Sequence, residues 1–126
     1  MKITSFNPMI LTSDVERVIG VFHALGFEKR HAPVVETADE DITITRMKNA
    51  DGFYVDVAKL ADIKQDKTVI RMNVDNFEEV YEMLLDHGFK NYKGDTSLYT
   101  ESSKTALLVA PNGFVIGLVK HIKWKL

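Results

Sequence analysis

Apolar residues recur at helical spacing in two stretches of the chain. Val15, Val18, Ile19 and Phe22 stand at i, i+3, i+4 and i+7, and Phe77, Val80, Tyr81 and Leu84 form a second such stripe. Each stretch predicts an amphipathic helix with one face to bury. Ser13 and Asp75 each stand three residues before a glutamate, Glu16 and Glu78, a pairing that satisfies free amide donors at a helix start. Gly26 and Gly88 follow where a left-handed residue ends a helix. Between the helices the pattern alternates, as strands do, and Asp51-Gly52 and Asn112-Gly113 mark hairpin turns. The reading is strands at about 3–11, 28–35, 41–48 and 53–60 around a helix at about 14–25. It continues with strands at about 67–74, 89–93, 97–109 and 114–122 around a helix at about 76–87.

This order repeats. When Ser13-Asp14-Val15-Glu16 is laid on Asp75-Asn76-Phe77-Glu78, Gly26-Phe27 falls on Gly88-Phe89, and one position away Asp51-Gly52-Phe53 falls on Asn112-Gly113-Phe114. Each half therefore reads strand, helix and three more strands, an α+β pattern of two βαβββ modules that share one architecture. The connection from Ala61 to Lys67 is short and polar and carries no Gly, Ser or Pro. One domain over 1–126 is expected, with modules at about 1–61 and about 67–126.

Composition removes several classes of function. With 126 residues, 45% hydrophobic and 27% charged, the chain can build one real core. Its formal charge of −2 offers no general attraction to nucleic acid, and the only basic clustering, His121-Ile122-Lys123-Trp124-Lys125, reads as a solvated terminus. There is no cysteine, hence no disulfide, thiol nucleophile or thiolate metal site. The first residues read as neither a signal peptide nor a membrane span. A cytoplasmic protein is expected.

Asn7-Pro8-Met9-Ile10-Leu11-Thr12-Ser13-Asp14-Val15-Glu16-Arg17, followed by Phe22-His23-Ala24-Leu25-Gly26-Phe27, resembles the opening of glyoxalase/bleomycin-resistance domains of the vicinal oxygen chelate superfamily. His23 stands where that pattern usually has tyrosine. Ala110-Pro111-Asn112-Gly113-Phe114-Val115-Ile116-Gly117-Leu118 resembles the closing D-P-D-G-N-x-I-E-L motif, with Ala110 replacing an aspartate, Phe114 an asparagine and Gly117 the glutamate. The resemblance covers essentially the whole chain and implies the fold class α+β with two βαβββ modules whose curled sheets enclose a shared cleft, the helices outside. It implies four inward-pointing metal-ligand positions, which carry over to Asn7, Asp56, Val69 and Gly117. Only Asp56 is a good ligand, whereas a catalytic divalent ion needs about three carboxylate or imidazole donors and an open place for water. No metal and no cofactor are expected. Gly117 reads either as a bulge or drift at an unneeded position, or as room for a ligand beside Asp56.

Strand alternation sorts the residues onto two faces. Ile10, Val55, Val57, Ile70, Met72, Val74, Ile116 and Leu118 share the parity expected beneath the helices. The other parity carries Asn7, Met9, Tyr54, Asp56, Val69, Arg71, Asn73 and Gly117, the candidate ligand-binding residues of a mostly apolar wall. Arg71 and Asp56 read either as an internal salt bridge between modules or as ligand contacts, the fork of Arg71 for a carboxylate and Asp56 for an amine or hydroxyl. Tyr54 and Met9 read as core filling or as ligand platforms. Tyr92, Tyr99 and Trp124 are candidates to close the cleft mouth, and the acidic run from Glu36 to Asp41 reads as a solvated loop or a rim for a cation. His23, His31, His87 and His121 share no ligand spacing, and Ser102-Ser103-Lys104, in an expected loop, has no nucleophile-elbow context. No catalytic residue is assigned.

The expectation is a metal-independent protein that sequesters or carries a partly aromatic or zwitterionic small molecule, as the resemblance to bleomycin-resistance proteins implies. The alternative is an enzyme, either a glyoxalase-like lyase or isomerase or a metal-free catalyst using Asp56 as base and Arg71 to steady an anion. The resemblance implies modules that commonly pair across two chains, and Met83 and Leu85, apolar but off the main stripe of the second helix, add a hint of further apolar contact, so a homodimer is expected. Neither nucleic acid nor membrane is expected as a partner.

Overall fold

Alternating apolar residues give the chain two long strands, β1 (Ile3–Thr12) and β6 (Lys67–Val74), and these pair antiparallel at the centre of the molecule. The structure, a computed structural model, describes residues 1–30, 34–35, 43–92, 98–99 and 103–121. After β1 come α1 (Val15–Ala24), β2 (Glu28–Lys29), β3 (Val34–Val35), β4 (Thr43–Lys48) and β5 (Tyr54–Lys59). After β6 come α2 (Phe77–Asp86), β7 (Lys90–Asn91), β8 (Leu98–Tyr99), β9 (Ser103–Val109) and β10 (Val115–His121). The expected strands at about 28–35 and 97–109 thus each contain two described strands, with 31–33 and 100–102 outside the described residues.

The fold is α+β, with one mixed sheet in the order β2-β4-β5-β1-β6-β10-β9-β7, β3 added on β4 and β8 on β9. In each half the first strand lies parallel to the last, β1 to β5 and β6 to β10, and the rest run antiparallel. The sheet does not close on itself.

Three apolar clusters follow from the parity of the strands. Val18 and Ile19 of α1 pack on Met47, Val55 and Val57, while Phe77 and Val80 of α2 pack on Val74, Leu108, Ile116 and Leu118. The opposite face, around which the sheet curls, buries Met9, Leu11, Ile44, Ala58 and Val69, with Leu107 and Val115 against them.

Both helix caps lie one residue later than the sequence motif predicts. Asp14 accepts from the backbone N–H of Arg17 at 3.2 Å, and Asn76 from that of Glu79 at 3.1 Å. At the second helix the reason is that the expected cap is engaged elsewhere, since the carboxylate of Asp75 is taken by the backbone N–H of Lys2 at 2.7 Å. At the first, β1 runs through Thr12, whose hydroxyl accepts from the N–H of Asp14 at 3.0 Å. Glu78, freed from a capping box, pairs with Lys104 of β9, whose hydrogen bond holds its carboxyl below the usual carboxylate range. In the connection between the halves, hydrogen bonds from Thr12 and Arg17 hold the Asp66 carboxyl low in the same way.

Gly26 and Gly88 end α1 and α2 at φ of +100° and +91°, where a side chain costs about 1–2 kcal/mol. A Cβ on Gly26 would meet nothing within 4 Å, but one on Gly88 would lie 2.9 Å from Cγ of Pro111. Gly26→Ala should therefore lower stability by about 1 kcal/mol, and Gly88→Ala by a further 1–3 kcal/mol for the collision. Urea midpoints of the two variants, measured side by side, check the difference; equal midpoints would remove the Pro111 contact as its cause.

Candidate functional site

The Asp51-Gly52 turn sets the register of its hairpin, and that register places Arg46 of β4 directly across from Asp56 of β5. On the other side of β5, β1 brings Met9 level with Asp56, and β6 brings Arg71 level with Asn7. Because Val55 and Val57 point beneath α1, Asp56 faces the opposite, inner face, as do Asn7 and Arg71. Four strands therefore converge on one carboxylate.

Asp56 has no exposed surface. Its Oδ2 accepts from Nδ2 of Asn7 at 2.8 Å and from Nη1 of Arg71 at 3.1 Å, and its Oδ1 accepts from Nε of Arg46 at 3.1 Å. Arg46 closes the ring by donating from Nη2 to Oδ1 of Asn7 at 2.8 Å. Arg71 is nearly buried, whereas the side chain of Arg46 is 29% exposed and its guanidinium lies 4.5 Å from the ring centre of Tyr54. Nζ of Lys48 approaches the same ring at 5.3 Å. A carboxylate with no surface in water needs such partners, since removing one side of a buried ion pair costs about 3–5 kcal/mol. Further along β6, Asn73 donates to Oγ of Ser5 at 3.0 Å, while its Oδ1 is buried without a hydrogen-bond partner among the described residues. That orphan acceptor costs about 1–3 kcal/mol.

The second hairpin has the matching register, with Leu107 of β9 across from Gly117 of β10. The surroundings of Gly117 bear on its two readings, drift at an unneeded position or room for a ligand. A Cβ there would meet Cε of Met9 at 3.4 Å, Cδ2 of Leu107 at 3.7 Å and the backbone of Arg71 at 3.9 Å. These are ordinary contact distances, so a methyl group fits there, with Leu107 and Met9 lining the space around it.

Of the sequence candidates, Asn7, Asp56 and Arg71 meet in one network, and Tyr54 joins it through Arg46. Met9 and Val69 are buried in the neighbouring apolar cluster, and Asn73 lies beyond Arg71 on β6, paired with Ser5. Arg46 was not singled out from the sequence, although the Asp-Gly turn places it opposite Asp56. Ser103 and Lys104 begin β9 rather than lie in a loop. His23 and His87 are exposed and Tyr92 is exposed. His31, Trp124 and the run from Glu36 to Asp41 lie outside the described residues, as do the side chains of Tyr99 and His121.

The four ligand positions carried over by resemblance do not fit a divalent ion. Val69 and Gly117 have no donor atom, and the donors of Asn7 and Asp56 are engaged with each other and with two guanidinium groups. Among the described residues no cluster of three or more His, Asp or Glu is placed to hold a metal.

Comparison with solved structures places this geometry. A methylmalonyl-CoA epimerase from Streptomyces coelicolor, in complex with 2-nitronate-propionyl-CoA, superposes with a TM-score of 0.66 at 14% identity over 99% of both chains. The chain has the vicinal oxygen chelate fold. A glyoxalase/bleomycin resistance protein/dioxygenase superfamily member from Vibrio splendidus gives a TM-score of 0.56 at 16% identity over 94% of this chain and 99% of that one. Glyoxalase I from Zea mays gives 0.62 at 18% identity over 94% of this chain and 43% of that one. No protein-family model and no curated protein matches the sequence.

The packing around Gly117 leads to a direct test. Gly117→Ala should stay within about 1 kcal/mol of the parent, because a methyl group meets its neighbours at ordinary distances. Gly117→Glu should lose roughly 2–4 kcal/mol by displacing Met9 or Leu107 and setting a second carboxylate near Asp56. Thermal and urea unfolding of the pair checks this, and a fully stable glutamate variant would mean that the space is open after all.

Proposed function

We propose that this protein binds a small organic molecule on the inner face of its sheet, without a divalent metal, in the manner of bleomycin-resistance proteins that sequester or carry a ligand. The observation that carries this reading is the state of Asp56. It is the one strong donor among the four inherited ligand positions, and its two oxygens are held by Asn7, Arg46 and Arg71. The inner face combines apolar Met9 and Val69 with this polar network and the orphan acceptor of Asn73, a mixture suited to a partly aromatic or zwitterionic ligand. The enzyme reading draws on the likeness to an epimerase and to glyoxalase I. It would ask a fully buried carboxylate with three donors on it to act as the base. Among the described residues no helix is long and apolar enough to cross a membrane.

Purified protein should therefore contain no stoichiometric metal, and its melting temperature should be unchanged by nickel, zinc, manganese or chelator. Elemental analysis that finds one tightly held ion per chain, with a melting temperature that chelator lowers, would overturn the proposal.

We also propose that the chain forms a homodimer, with Met83 and Leu85 of α2, 39% and 38% exposed on the two flanks of its buried stripe, contributing to the contact. Sedimentation at micromolar concentration should give twice the chain mass, and Met83→Lys with Leu85→Lys should give the monomer. A monomeric parent would rule this out.

A further inference from the structure

We propose that Arg46 and Lys48 form an anion-binding subsite that takes a carboxylate or phosphate group of the bound molecule. This deepens the binding reading above and rests on it. The two residues are two apart on β4, so both face the inner side, and both stand over the Tyr54 ring, at 4.5 and 5.3 Å from its centre. Two cations that share one ring lie within roughly a Debye length of each other. They repel, and the ring's quadrupole offsets only part of that.

The described carboxylate that touches this group is Asp56, which has no exposed surface and is shared with Arg71. Glu28 stands across β2 and β4 from Lys48 but is exposed, where an ion pair contributes little. Among the described residues, positive charge at the partly exposed end of the network thus exceeds the negative charge set against it. An anionic oxygen group seated beside Arg46 and Lys48 restores the balance.

Arg46 is also built for such a contact. Its bonds to Asp56 and Asn7, and the Tyr54 ring, hold the guanidinium in place. It keeps further N–H donors beyond those two bonds, and 29% of the side chain is exposed. A held fork with free donors matches the planar geometry of a carboxylate or the oxygens of a phosphate.

The test uses three phenyl probes that differ in the polar group: benzoate, phenyl phosphate and benzyl alcohol. Benzoate or phenyl phosphate should raise the melting temperature in a concentration-dependent way and shift the Tyr54 resonances, and benzyl alcohol should do neither. The preferred anion tells the carboxylate source from the phosphate source. Lys48→Gln should weaken anion binding several-fold and Arg46→Gln by about tenfold or more. Arg46 also holds Asp56, so its replacement can disturb the fold; Lys48 touches neither Asp56 nor Asn7, and its variant keeps the test decisive. Equal binding of benzyl alcohol, unchanged anion affinity in Lys48→Gln, or no response to either anion at millimolar concentration would overturn the subsite. Undiminished binding of benzyl alcohol would do so while leaving metal-free binding intact. A stoichiometric metal would remove the metal-free reading instead.

Discussion

A carboxylate with no contact with water dominates the inner face of this sheet. Once β5 turns Val55 and Val57 beneath α1, the residue between them must point the other way, and that residue is Asp56. Burial would make its charge very costly, so the strands on both sides supply donors: Arg46 from β4, Asn7 from β1 and Arg71 from β6. One half of the chain therefore holds the other through an ion pair as well as through the β1–β6 ladder. A buried pair of this kind is weak evidence of stability, because apolar residues of similar volume often serve as well.

The chain itself contains the apolar solution. At the matching register of the second hairpin, Leu107 stands across from Gly117, where the first has Arg46 across from Asp56. The leucine fills the space beside the glycine without any charge to satisfy. Two equivalent places in one sheet thus differ sharply in chemistry, and the polar one carries an arginine that is still partly exposed. That contrast supports the proposed ligand site on the polar side. The same contrast accounts for the misfit with a divalent ion. The fold supplies the positions, and two of the side chains that occupy them have no lone pair to give.

Much of the fold was legible in the sequence because its signals are local. Helical stripes, the glycines after each helix, the two Asp-Gly and Asn-Gly turns and the parity of each strand are properties of a few neighbouring residues, and all appear as described elements. The cap of α2 was displaced by one residue because Asp75 is claimed by Lys2, from the far end of the first half of the chain.

For the site, sequence by itself determined which residues face inward: Asn7, Asp56, Arg71 and Gly117 follow from a period of two that the pleat enforces. Only the tertiary structure decided what those residues do. Whether Asp56 meets Arg71, whether Arg46 reaches past it to Asn7, and whether Gly117 leaves a gap or is covered by Leu107 and Met9 all depend on side chains from strands far apart in the chain. Long, flexible side chains such as arginine and methionine can satisfy the same backbone parity in many ways. The packing of the assembled sheet selects one of them, and no local pattern records that choice.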